Sequence, residues 1–567
     1  MKFSFIFAYT TCLVQLACFE LTFASAVSSS SSEASKAAME ILNSGGNAVD
    51  AACAAVFVLN VTQPHFSGIG GGGFALIHLK DKKEVLLDFR ESAPSATTSR
   101  LFLQPDGKVI PGWNERNTGS KAVGIPGVVA GCGQAVRENG KLSWKQVLSP
   151  SIQLAQNGFV ISQFFQEELS DQWKRISRFD FTRKLLQGTG GHGLKKDEIL
   201  KQPLLAQTLE RLAQDGPESF YTGKLAKRWL KEAQNLGVKF TKKDLESYHV
   251  YKRDPVIFSF GKFHGVTASA PSSAGLTVAG VLRYLDHYYS THPISEPSSI
   301  ERYVVAIEAK AFFGKVRDKV IADPFRMSLK PSQLLTPVAE TSYWRQLDDH
   351  IQVKLSQLSR TKVFPSRNRT VDSFSHNRIE THTAHVSVVD DFGNAVALTS
   401  SVGNIFGSGI FLPKSGFVLN STLGDFNPAE KHINSSAPLA RPLSNMSPLF
   451  LFENNTPHPQ LVGVLGAAGG HLIPSAIVDF IQNYYFYNMS KDAAIRFPRI
   501  HSEDGNEVAI EGHASSKIIK KIGNLGYRME PIDTLWAVFE GIVRRSSRQN
   551  WEPVAETRYE GLGLTTQ

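Results

Sequence analysis

The chain of 567 residues is long for one compact domain, although a large layered fold can hold most of it. Apolar residues at 42% and charged residues at 20% are ordinary for a globular protein, and a net charge of +9 is mild for this length. The basic residues are spread along the chain, with no basic arm and no aromatic-interleaved basic repeat, which argues against nucleic-acid binding.

The N-terminus reads as a targeting segment. Lys2 precedes an uncharged, mostly apolar run from Phe3 to Cys18, Glu20 closes it, and Ala24-Ser25-Ala26 is a small-x-small cleavage site. A cleaved secretory signal over residues 1–26 is expected; an uncleaved membrane anchor is the alternative. No later stretch is apolar enough to cross a membrane. Of the four cysteines, Cys12 and Cys18 leave with the signal. Cys53 and Cys132 remain, as two buried thiols or one disulfide, which spacing cannot decide. Glycosylation sequons at Asn60, Asn368, Asn420, Asn434, Asn445, Asn454 and Asn488 fit a secreted protein, with Asn60 and Asn445 expected to stay unmodified.

Val27 to Ser32 reads as a serine-rich tether. A helix follows from Glu33 to Asn43, ended by Gly45-Gly46, and Ala48 to Leu59 is apolar throughout, as in a buried helix. The run Ser67-Gly68-Ile69-Gly70-Gly71-Gly72-Gly73-Phe74 lacks the Lys-Ser/Thr of a phosphate loop; it implies backbone packed where any Cβ would clash. Strands are expected at Ala75–His78 and Val85–Asp88, then Phe89-Arg90-Glu91-Ser92-Ala93-Pro94 closes that hairpin. Gly124-Ile125-Pro126-Gly127 leads into a small-residue helix, and helical patterns dominate from Trp144 to Leu236. A strand-bearing region opens near Phe240, Pro271-Ser272-Ser273-Ala274-Gly275 opens another helix, and Ile307 to Ile321 is a charged amphipathic helix.

Thr361 to Glu380 is polar and aperiodic and reads as a mobile connector. It ends just before Thr383-Ala384-His385-Val386-Ser387-Val388-Val389-Asp390, a strand with alternating faces. Asp391-Phe392-Gly393-Asn394 is a turn and Ala395 to Ser401 a returning strand. Pairing Asp390 with Ala395 brings Ser401 beside Ala384 or, one residue off, Thr383. Further on, Leu461–Leu465 is a strand, Gly466-Ala467-Ala468-Gly469-Gly470 a sharp turn, and Pro474–Tyr485 a helix.

A threonine hydroxyl needs a base to become a nucleophile. A chain that begins with Thr supplies one, since its α-amino group has a pKa of about 8. Thr381 competes with Thr383 for that role, but only Thr383 places His and Ser at the second and fourth following positions. Thr383-x-His385-x-Ser387, the Asp-x-Gly-Asn turn, Phe406-Gly407, Asn47-Ala48-Val49-Asp50-Ala51-Ala52, the glycine run, Gly124-Ile125-Pro126-Gly127 and Pro271-Ser272-Ser273 together resemble the γ-glutamyltransferases (glutathione hydrolases), a family of N-terminal nucleophile hydrolases.

The resemblance implies an α+β fold, a four-layer αββα sandwich. It also implies a chain that cuts itself between His382 and Thr383 into subunits 27–382 and 383–567, which stay together as a heterodimer. It implies no cofactor and no metal. The partners would be a small-molecule γ-glutamyl donor and an amino-acid or peptide acceptor. On the matching positions, Thr383 is the nucleophile and Ser401 the hydroxyl on the return strand. Gly469 and Gly470 supply the oxyanion donors. Arg90 holds the substrate carboxylate, Asp425 its ammonium, and Ser444 lies near the carboxylate. The pattern is broken at three places. The usual Asn after the return strand is Gly403, with Asn404 one place on; a Glu or Gln near the ammonium is Thr422; the second serine of a pair is Asn445. These departures leave open an amidase of another acyl specificity, and a secreted binding or toxin-like protein that keeps the fold without turnover.

Overall fold

A computed structural model describes residues 24–80, 82–357, 383–454, 459–532, 537–556 and 558–566. The expected connector Thr361–Glu380 and the residue before the expected cut, His382, lie outside these residues. Two mainly antiparallel sheets stack face to face. The first has seven strands in the order Leu562–Thr565, Ala26–Ser29, Ala384–Val389, Ala395–Ser401, Gly72–His78, Val85–Phe89 and Tyr251–Arg253. The second has six, in the order Glu552–Ala555, Val538–Val543, Gln460–Ala468, Leu449–Glu453, Phe263–Thr267 and Val256–Phe260. Helices cover both outer faces, so the layers run αββα as expected.

The period of two along Ala384–Val389 shows how the layers form. Ala384, Val386 and Val388 enter the core shared with the helices on one side, while Val389 enters the core between the sheets. His385 and Ser387 also face the second sheet, where Ser387 Oγ donates to Val464 O at 3.0 Å. Helix Ala48–Thr62 lies on the outer side and is buried along its whole length. Asn47 caps it, accepting from Val49 N–H at 3.0 Å, and Asp50 returns a bond to the Asn47 N–H at 3.0 Å. Helices Ala274–Thr291, Ile300–Val320 and Ile473–Ile481 cover the second sheet.

Several expectations are corrected. The serine-rich segment after Ala26 is no tether: Ala26–Ser29 is a buried strand between Ala384–Val389 and Leu562–Thr565. Its serines are satisfied there, Ser28 Oγ donating to Glu540 Oε2 and to Val554 O, both at 2.7 Å. Ala395 pairs with Val389, not Asp390, because Asp390 serves the turn, its side chain accepting from Phe392 N–H at 3.0 Å and Asn394 N–H at 2.9 Å. The helix expected from Ile307 spans Ile300–Val320 and turns its charges inward, with Lys310 paired to Asp479 at 2.5 Å. The region near Phe240 opens with a short helix, Lys242–Glu246, before its strands. Gly466 to Ala468 belong to a strand, and the turn is confined to Gly469 and Gly470. Gly466 is required in that strand, since a Cβ there would lie 2.1 Å from the His385 ring. Cys53 and Cys132 are buried free thiols. The sequon residue Asn420 is buried and its Nδ2 donates to Gly70 O and Gly124 O, both at 2.7 Å, so the folded chain cannot carry a glycan there.

Candidate active site

Thr383 stands at the head of the central strand Ala384–Val389. The ladder ends with Ser400 opposite Ala384, which sets Ser401 beside Thr383. Strand Gly72–His78 pairs with the other edge of the return strand, with Gly72 opposite Ser401. The glycine run permits that approach, as a Cβ at Gly71 would lie 2.1 Å from Ser401 O. Thr383 is 4% exposed and has φ +113°, a conformation that a β-branched residue avoids. Two residues on, the His385 imidazole lies between the sheets, with Nδ1 2.8 Å from Thr399 Oγ1 and Nε2 3.1 Å from Ser387 Oγ. Burial lowers its pKa to about 3, so it stays neutral and supports the strand rather than serving as a proton carrier.

Thr383 opens onto a cavity of ≈ 750 Å³, lined also by Ser401, Gly403, Gly470, Arg90, Asp425, Ser444 and Asn445. Gly469 and Gly470 have φ +140° and +55°, values that only glycine adopts readily, and they turn the strand Gln460–Ala468 into the helix Ile473–Ile481. Backbone N–H groups are left without intrahelical partners at such a helix N-terminus, and of the two glycines Gly470 lines the cavity. Ser401 Oγ accepts from Gly403 N–H at 3.0 Å.

On the same cavity, Arg90 and Asp425 form an ion pair with each other. Arg90 also donates to Pro442 O at 3.3 Å, Leu443 O at 3.1 Å and Glu91 Oε2 at 3.2 Å. The guanidinium is therefore firmly oriented, but two carboxylates, Asp425 and Glu91, already compete for it. Burial raises the pKa of Asp425, with Arg90 opposing. Burial likewise pushes Glu91 up to about 7 against the pull of Arg90, and its Oε1 has no hydrogen-bond partner among the described residues. Asn445 Oδ1 accepts from Arg317 Nη1 at 2.8 Å and from Ser273 Oγ at 3.1 Å, so the group it can offer a ligand is its NH₂ donor. Ser444 Oγ accepts from Met446 N–H at 3.1 Å.

Not every expected residue reaches the cavity. Asn404 is buried behind it, Nδ2 donating to Asn114 Oδ1 at 2.9 Å and Oδ1 accepting from Ile405 N–H at 2.8 Å. It does not take up the space in front of Gly403. Thr422 is fully buried, its hydroxyl donating to Asn420 Oδ1 at 2.8 Å. Conversely, Glu91, Trp113, Arg116, His471, His501 and Glu503 lie at or against the cavity without having been singled out in the sequence. His471 directly follows Gly470 and Glu91 directly follows Arg90, so both were in principle detectable; the others are brought in from separate segments. Among the described residues, His471, His501 and Glu503 form a cluster able to hold a metal ion.

The gamma-glutamyltranspeptidase family profile matches residues 34–565. The chain is 33% identical over 506 residues to the glutathione hydrolase proenzyme of Bacillus subtilis (strain 168), covering 88% of this chain and 84% of that protein. It superposes on the Helicobacter pylori gamma-glutamyltranspeptidase with a TM-score of 0.52 and 33% identity, over 57% of this chain and 90% of that one. The cephalosporin acylase of Bacillus halodurans shares the fold, with a TM-score of 0.81 at 21% identity over 100% and 98% of the two chains. With its N-terminal nucleophile hydrolase layers and a profile match over nearly its whole length, the chain belongs to the gamma-glutamyltranspeptidase family of acyltransferase and hydrolase enzymes.

Proposed function

We propose that this chain is a secreted γ-glutamyltransferase or glutathione hydrolase that cuts itself before Thr383 and then uses Thr383 on γ-glutamyl amides. The observation that carries the proposal is the placing of Thr383 beside Ser401, on one cavity with Gly470 and the Arg90–Asp425 pair. In the uncut chain the Thr383 hydroxyl attacks the His382 carbonyl carbon. The acyl group passes from nitrogen to oxygen, and water hydrolyses the ester. The positive φ of Thr383 favours this step, since strain of about 1–3 kcal/mol at such a residue is relieved when the peptide bond opens. The freed α-amine then takes the hydroxyl proton as Thr383 attacks the donor amide. The Gly469–Gly470 amides hold the oxyanion, the amine leaves with the proton, and water or an acceptor amine resolves the acyl-enzyme.

Purified protein should give two bands on a denaturing gel and a smaller fragment beginning Thr-Ala-His-Val. Thr383→Ala should leave one uncut, inactive chain. A fragment beginning at Thr381, or activity from an uncut chain, would refute the assignment. One observation favours a second reading, an amidase of another acyl specificity. Arg90 and Asp425 neutralise each other, and neither Asn404 nor Thr422 reaches the cavity to help hold an ammonium. Release of p-nitroaniline from γ-glutamyl-p-nitroanilide separates the two.

A further inference from the structure

Beyond Gly470 the cavity wall carries polar side chains that acyl transfer leaves unused. His471 follows Gly470 on the turn into the helix Ile473–Ile481. His501 ends the short strand Ile500–His501, Glu503 lies two residues further, and all three line the cavity. One ligand atom from each lies within 4.8 Å of the other two. The two imidazole centroids are 5.4 Å apart, and His501 Nε2 is 3.9 Å from Glu503 Oε1. His501 Nδ1 lies 2.8 Å from Ser475 Oγ, a contact that fixes the ring with Nε2 on the Glu503 side.

We propose that His471, His501 and Glu503 form a binding site for a divalent transition-metal ion of the zinc class, next to the glycine turn. Two imidazoles and one carboxylate suit zinc and its neighbours, whereas calcium and magnesium take oxygen ligands. Metal–ligand bonds of about 2.1 Å set tetrahedral ligand separations near about 3.4 Å, so the side chains must close by roughly 1 Å. His471 is half-buried and Glu503 has a side chain 54% exposed, which leaves them room to do so. Ser475 supplies the outer contact that orients a metal-bound imidazole.

Two cations oppose the ion. Lys310 is already neutralised by Asp479, and Arg317 keeps Asn445 at 2.8 Å when it gives up Glu503, now 3.3 Å away. A fourth position, open to the cavity, is left for water or substrate. The site itself does not depend on the acyl-transfer reading. Its effect on activity does: an ion bound there would restrain the turn that carries Gly470 and narrow the cavity, so it should inhibit, reversibly on chelation.

The test is direct Zn²⁺ titration against a chromogenic zinc chelator, on the processed protein and on uncut Thr383→Ala, with Co²⁺ absorbance as a geometric check. We expect one equivalent bound and a tetrahedral Co²⁺ spectrum. His471→Gln and His501→Gln should each weaken binding at least tenfold, and Glu503→Gln by less. No binding to the wild type, or the same affinity in wild type and both histidine variants, would overturn the site. If either histidine variant fails to fold, Glu503→Gln at its exposed position decides, and unchanged affinity there overturns it.

Discussion

Replacing Asp425 by alanine tests whether the cavity reads an α-ammonium. In the structure this carboxylate already pairs with Arg90, so a bound ammonium must share or displace that pair. A hydrogen bond to a charged group contributes about 1.5–3 kcal/mol, roughly 10- to 150-fold in kcat/KM. Competition from Arg90 for the same carboxylate reduces the net gain, and a loss of about 10- to 40-fold is expected. Arg90 should keep its place, because Pro442 O, Leu443 O and Glu91 still hold it. The assay is initial-rate release of p-nitroaniline by the processed protein from γ-glutamyl-p-nitroanilide and from the des-amino glutaryl analogue. The loss should appear with the first substrate only, while self-cleavage stays intact. An equal loss on both substrates would mean that Asp425 acts by positioning Arg90. A wild type that prefers the des-amino analogue, with no effect of Asp425→Ala, would refute ammonium recognition and favour the amidase reading.

The acylation-limited rate should rise with pH through the pKa of the Thr383 amine, near about 8 if unshifted; a rate flat from about pH 5 to about pH 9 would exclude that amine as the base. Thr422→Glu, which would match the family pattern, should instead lower stability by about 3 kcal/mol or more, because it would bury a carboxylate against the Asn420 oxygen that now accepts from the Thr422 hydroxyl; thermal unfolding and kcat/KM of the variant decide this. Glu540 is buried, with Oε2 accepting from Ser28, and burial raises its pKa well above the usual range. Its folded pKa exceeds its unfolded one, so the protonated group contributes stability that is lost as pH rises through the folded value. Glu91 and Glu560, both raised to about 7, act in the same direction. The buried imidazoles of His65 and His385, held down to about 3, act in the opposite direction up to about pH 6.5, so the window is above it: Tm should fall from about pH 6.5 to about pH 9, and less steeply in Glu540→Gln; equal slopes would argue against an ionisable Glu540.

The sequence by itself determined the local elements and the candidate nucleophile. Period-two alternation marked the strand after Thr383, unbroken apolarity marked the buried helix Ala48–Thr62, and the glycine run announced a close backbone approach. Those signals are local, because they arise from side chains a few residues apart on one element. What depended on distant partners was not legible. Ala26–Ser29 is polar enough to pass for a tether, and it is a strand only because Glu540 and a ladder on each side satisfy it. Helix Ile300–Val320 carries charges that look solvated until Asp479 and Asn483 are brought against them. Asn404 and Thr422 sit beside the expected substrate positions in sequence, yet their side chains turn behind the wall, where Asn114 and Asn420 engage them. The Arg90–Asp425 pair joins residues 335 apart along the chain, and His471 meets His501 across two separate elements. Motif spacing carries no distance between such segments; only the stacking of the two sheets and their helices sets which polar groups converge on the cavity and which are used up in holding it.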